Sequence, residues 1–129
     1  MCREAHLNSV HFLSNIGQMR ERPHLGSFEL IVMLAVIRLG DDAYGVPISR
    51  EIEQRGDRSV TFGSLYATLE RLEQKGLISS ELGEPTPERG GRAKKYFRLT
   101  MKGLREVRAA QRALKKLWQN LPQLEARRT

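Results

Sequence analysis

Residues 61–100 pass from TFGSLYATLERLEQKG, whose apolar positions Leu65, Leu69 and Leu72 recur in steps of three and four, to LISSELG, then PERGGRAKK, then YFRLT. This order most limits what the chain can fold into. The first block has the period of a helix with one buried face, and the second and fourth read as two short strands. Pro85, Pro87, Gly90 and Gly91 between the strands suit a turn and not a core, so the strands form a hairpin with a long charged tip. A helix that runs straight into a hairpin needs other helices to cover its apolar face.

The rest of the chain supplies them. In LIVMLAVIRL, residues 30–39, nearly every position is apolar, so this helix is covered from more than one side. Ser27 is its expected N-cap and Gly40 its left-handed stop. A second helix runs from about Val46 to Arg55, with Pro47 in its first turn and Gly56 as its stop. Tyr44, Ile48 and Ile52 mark its buried face, and Arg50, Glu51, Glu53 and Gln54 face water. The third helix is capped by the Thr61 hydroxyl and stops at Gly76. Its outward residues are Ser64, Tyr66, Ala67, Thr68, Glu70, Arg71, Gln74 and Lys75.

A fourth helix follows the N-cap Thr100 and continues to about Asn120, before Pro122. Leu104, Val107, Gln111, Leu114, Trp118 and Leu121 along it have the spacing of a seam between two helices. A seam this short needs a second surface, and the over-apolar first helix is the one available. Trp118, the only tryptophan, serves either as packing in that contact or as an aromatic wall for a planar ligand. The fold class is therefore mainly α with a small β-hairpin (α+β), a winged helix-turn-helix over residues 24–100 with a C-terminal dimerisation helix and tail over 101–129. Residues 1–23 form a tail or short helix: Leu7, Val10, Phe12, Leu13, Ile16 and Met19 make a stripe that Asn8, Ser9, Ser14, Asn15 and Gly17 interrupt.

The charge points to a partner. A net charge of +7 and a pI near 10.1 favour a polyanion, because cations placed near phosphates release condensed counterions. Arg89, Arg92, Lys94, Lys95 and Arg98 crowd the hairpin with Glu88 as the one acid among them. On the third helix, Gly63, Ser64, Ala67 and Thr68 are small enough for the backbone to approach a major groove, Arg71 is a longer donor, and Tyr66 can present its hydroxyl to a phosphate. Phe97 is expected in the core with Leu77 and Leu99, leaving Tyr96 to pack beside the sugar-phosphate backbone.

Other chemistries lack their parts. Cys2, His6 and His11 have no fourth metal ligand, the glycines of GGR do not join a strand to a helix, and Glu70 and Glu73 lie too near solvent to be a tuned acid-base pair. No metal, cofactor or catalytic residue is expected. The longest apolar run is about half the roughly 20 residues of a spanning helix, the start MCREAHLNS is not a signal peptide, and one cysteine fits a reducing cytoplasm. Two functions remain: a sequence-specific DNA-binding regulator, or a winged helix that binds protein and touches nucleic acid non-specifically.

The segments LIVMLAVIRLGDDAYGVPISREIE, FGSLYATLERLEQKGLI and GGRAKKYFRLTMKG stand in the order found in PadR-type transcriptional regulators, which this chain resembles over residues 25–121. The resemblance implies a cytoplasmic homodimeric repressor of a neighbouring operon that binds a palindromic site in double-stranded DNA and is relieved by a small-molecule effector or another signal. It implies DNA contacts from Ser64, Tyr66, Thr68 and Arg71 and from Arg92, Lys94 and Lys95 of the wing. It also implies a dimer contact in which the C-terminal helix, with Leu104, Val107, Leu114, Trp118 and Leu121, packs across a partner. Phe62 stands where many relatives have proline, and the C-terminal part is a single helix, as in the short branch of the family.

Overall fold

In the computed structural model, which describes residues 25–84 and 93–124, α1 spans Ser27–Leu39, α2 Gly45–Arg55, α3 Phe62–Gln74 and α4 Met101–Trp118. Strands β1 (Ile78–Leu82) and β2 (Lys95–Leu99) lie between α3 and α4. The core is one cluster that includes Val32, Met33 and Val36 of α1, Ile48 and Ile52 of α2, Leu65, Leu69 and Leu72 of α3, and Leu77, Ile78 and Phe97 of the ribbon. The expected tail, and with it Cys2, His6 and His11, lies outside the described residues, as does Arg92 at the hairpin tip.

The helix boundaries follow from local chemistry. Gly26, and not Ser27, caps α1: its backbone is extended and its N–H donates to Glu29 Oε1 at 3.0 Å, so the Glu29 carboxylate sets the start. Gly40 ends the helix at φ 58°, a region open to glycine at little cost. Helix α2 starts one residue earlier than its proline suggests, with Tyr44 as N-cap. Glu51 does not simply face water: it accepts from Arg38 at 2.9 Å and Arg55 at 2.8 Å, which ties α2 to α1. Thr61 caps α3 as its sequence suggests, with its hydroxyl oxygen accepting from the Ser64 N–H at 3.1 Å.

The ribbon is antiparallel, with Ile78 opposite Leu99, Ser80 opposite Phe97 and Leu82 opposite Lys95. Phe97 enters the core, and its N–H donates to the Ala43 carbonyl at 2.8 Å, so the segment between α1 and α2 lies along the free edge of β2. Tyr96, on the opposite face, does not stand free for a backbone contact. Its ring meets Tyr44 edge-on at 5.3 Å between centroids.

Helix α4 is pinned at its first turn. The Thr100 hydroxyl accepts from the Gly103 N–H at 3.0 Å and donates to the Gly76 carbonyl at 2.7 Å, while Lys102 Nζ donates to the Lys75 carbonyl at 3.2 Å. Gly103 lies against Leu77, where a Cβ would stand 2.0 Å from the carbonyl oxygen. Gly103 is also the one fully buried residue of α4. The helix ends at Trp118, because Gln119 is extended and Asn120 takes a positive φ of 57°. Leu121 therefore lies beyond the helix, and the expected last step of the seam is broken.

Candidate nucleic-acid interface

Helix α3 presents two flanks and an outward line. Opposite the buried Leu65, Leu69 and Leu72 run the exposed Gly63, Ala67, Glu70 and Gln74. Ser64 is exposed at the N-terminal end of this surface, and Tyr66 stands 44% exposed on the flank nearest α2. Tyr66 stacks on Phe62 with centroids 6.2 Å apart, and its hydroxyl reaches the first residue of α2. A Cβ on Gly45 would lie 1.9 Å from Tyr66 Oη. The Tyr44-Gly45 pair thus has a physical basis on both sides, since Tyr44 carries the wing and Gly45 leaves room for Tyr66.

Thr68 corrects the sequence expectation. It is 2% exposed, and its Oγ1 accepts from Arg71 Nη2 at 3.3 Å, so its side chain is turned into the domain and not presented outward. Its polarity suggests a surface residue, whereas its place beside Leu65, Leu69 and Leu72 on the helix puts it at the core edge.

Arg71 and Lys75 occupy the other flank, against α1. Arg71 Nε donates to Glu29 Oε2 at 3.2 Å, and Lys75 Nζ donates to both Glu29 oxygens at 3.1 and 3.0 Å. The Glu29 side chain is 8% exposed. Burial works to raise its pKa, but the Gly26 N–H, Lys75 and Arg71 outweigh it and hold the carboxyl below its ordinary range. Sequence reading missed Glu29 as a partner of this flank because the contact spans 42 positions of chain.

On the wing, Lys94 is half-buried. Its Nζ lies 4.5 Å from the Tyr44 ring centroid and donates to Tyr44 Oη at 3.4 Å. Lys95 is exposed and, with Tyr66, Glu70, Glu73 and Phe97, lines a groove of about 490 Å³ between α3 and β2. Arg58, which sequence reading passed over, holds its guanidinium 5.0 Å from the Phe28 ring centroid and lines a shallow pocket with Ser59, Thr61 and Ser64 at the start of α3. Its signal was an arginine three residues before a helix cap.

The seam residues meet α1. Val107, Gln111, Leu114 and Trp118 line, with Leu30 and Leu34, an apolar groove of about 670 Å³. Leu104 and Val107 are half-buried, Val107 against the core, while Trp118 is 62% exposed and Leu114 is exposed as well. Leu121 does not line this groove.

A three-helix core, a two-stranded wing beside the third helix, and a projecting fourth helix together define a winged-helix protein with an appended helix. Residues 33–109 match the Transcriptional regulator PadR-like family, and the chain belongs to that family, whose members are regulators and not enzymes. An uncharacterised protein of Lysinibacillus sphaericus is 37% identical over 84 residues, 64% of this chain and 70% of that protein. Among solved structures, a PadR-like transcription factor from Bacteroides fragilis is 28% identical, with TM-score 0.62 over 86% of this chain and 98% of that one. A PadR family regulator from Eggerthella lenta is 25% identical, with TM-score 0.59 over 92% and 96%. Among the described residues no helix is long and apolar enough to cross a membrane.

Proposed function

We propose that the chain is a homodimeric repressor that binds a palindromic site in double-stranded DNA in the cytoplasm. The observation that carries this reading is α3: its N-terminal half presents the small residues Gly63, Ser64 and Ala67 outward, flanked by the exposed rings of Phe62 and Tyr66. Ser64 and Tyr66 contact the duplex from α3, and Lys94, Lys95 and Arg92 hold the flanking phosphates from the wing. Two helices must stand about 34 Å apart to enter successive major grooves.

The dimer is supported by α4. After Gly103 it buries nothing fully within its own domain, yet it keeps Leu114, Leu117 and Trp118 on its surface. Apolar area of this kind is removed from water by a second copy. The groove with Trp118 is then the place for a planar effector between subunits.

The test is a fluorescence-anisotropy titration against the gene's own upstream DNA and a scrambled duplex at about 150 mM salt, where non-specific binding is weak. A preference of about a thousandfold or more, with two subunits per site, is expected. Equal affinity for both duplexes would overturn the reading and favour a winged helix whose specific partner is a protein.

A further inference from the structure

Arg71 and Lys75 are the only cations of TFGSLYATLERLEQKG, and both turn toward one carboxylate of another helix. That carboxylate is set deep, at the first turn of α1, and a backbone N–H fixes it from behind. Arg71 nevertheless keeps 51% of its side chain exposed, and it lies one turn from Ala67 on the surface that would meet DNA. An arginine in that place, left unpaired, would reach any phosphate near it irrespective of sequence. Paired with Glu29, it donates inward and its charge is locally compensated.

We propose that Glu29 is a positioning residue for specificity: it ties the C-terminal half of α3 to α1 and holds Arg71 and Lys75 off the DNA backbone, so that the N-terminal half of α3 does the reading. This rests on the DNA-binding reading above and adds two consequences. Arg71 is a strut and not a base reader. Removing the Glu29 charge also strengthens binding to the wrong DNA instead of weakening binding to all DNA.

The decisive variant is Glu29→Gln, which keeps an acceptor for the Gly26 N–H and removes the charge. The readout is the dependence of affinity on salt, for the upstream and the scrambled duplex, between about 50 and 200 mM. Each added phosphate contact steepens the log-log slope by about 0.9, so Arg71 released from Glu29 should steepen it by roughly 0.9 on the scrambled duplex and lower the preference for the upstream site. Adding Arg71→Gln and Lys75→Gln to Glu29→Gln should return the slope to its wild-type value. A merely structural role would lower the melting temperature and leave the slope where it was, and that outcome overturns the proposal.

If Glu29→Gln does not fold, as judged by circular dichroism, the pair Arg71→Gln with Lys75→Gln in the wild-type background decides. An unchanged slope supports compensation by Glu29, whereas a slope shallower by one or two contacts shows that these cations already grip DNA. The slope is read on scrambled duplex, so it does not depend on an operator. A wild type without preference overturns sequence-specific binding and leaves the Glu29 comparison intact, while a preferring wild type with an unmoved variant slope overturns only the role of Glu29.

Discussion

Replacing Gly45 by alanine tests the joint between α2 and α3 at its tightest point. The new Cβ would stand 1.9 Å from Tyr66 Oη and 2.7 Å from Cζ, where ordinary contact begins near 3.4 Å. The Tyr66 ring must therefore retreat by more than 1 Å (roughly 1.5 Å on carbon-oxygen contact distances), away from α2 and against Phe62. Forcing a packed side chain aside in this way costs about 1–3 kcal/mol. Against it stands the gain from restricting a glycine in the unfolded chain, about 0.4–1 kcal/mol. The net loss should be about 1–2 kcal/mol, a fall in melting temperature on the order of 5–10 °C for a domain of this size. In a Tyr66→Ala background the obstacle is gone, and the same substitution should be neutral or mildly stabilising. The double-mutant cycle, measured by thermal or urea unfolding, should show coupling of about 1 kcal/mol or more. Additive effects of Gly45→Ala and Tyr66→Ala would refute the reasoning that the glycine exists to admit the tyrosine.

Gly103→Ala meets a harder obstacle, the Leu77 carbonyl oxygen at 2.0 Å, and should cost about 1–3 kcal/mol in urea unfolding despite alanine's better helix propensity. Leu114→Glu with Trp118→Glu alters residues exposed on a single copy; it should leave the circular dichroism of the fold unchanged while light scattering reports monomers, and a persistent dimer would remove the α4 seam from the interface. The lowered Glu29 pKa makes a signed prediction. Its stabilising contribution is complete above the ordinary carboxylate range and is lost as pH falls through the lowered value, so the stability gap between wild type and Glu29→Gln should be constant near neutrality and close below about pH 4.5.

What was legible in the sequence was whatever depends on neighbours along the chain. The Thr61 cap, the stripe of Leu65, Leu69 and Leu72, and the stops at Gly40 and Gly76 need only local geometry, and they stand where the spacing puts them. Ser27 is not the cap because Glu29, three residues after Gly26, serves that glycine instead. The candidate interface was less legible. Arg71 has the chemistry of a DNA contact, but its partner Glu29 comes from α1, far along the chain, and no helical wheel of α3 contains it, whereas Thr68 lies beside the Leu65, Leu69 and Leu72 stripe on that wheel. Tyr96 likewise reads as a free aromatic until Tyr44 is brought beside it. Residues 101–118 show a seam whose step to Leu121 depends on the helix continuing, and the positive φ at Asn120 ends it.

Helix α1 emerges as the shared element because three demands fall on different faces of one rigid rod. Val32, Met33 and Val36 fill the core, Leu30 and Leu34 line the groove under α4, and Glu29 holds the flank of α3. Glu29 and Leu30 are adjacent, separated by about 1.5 Å of helix rise. A shift of the α1 backbone at Leu30 would therefore carry the Glu29 carboxylate with it. The near-continuous apolarity of this helix, which predicts cover from more than one direction, agrees with its packing in the core and against α4. Leu30 in the groove beside Trp118 and Glu29 against the cations of α3 are thus neighbours on one helical turn.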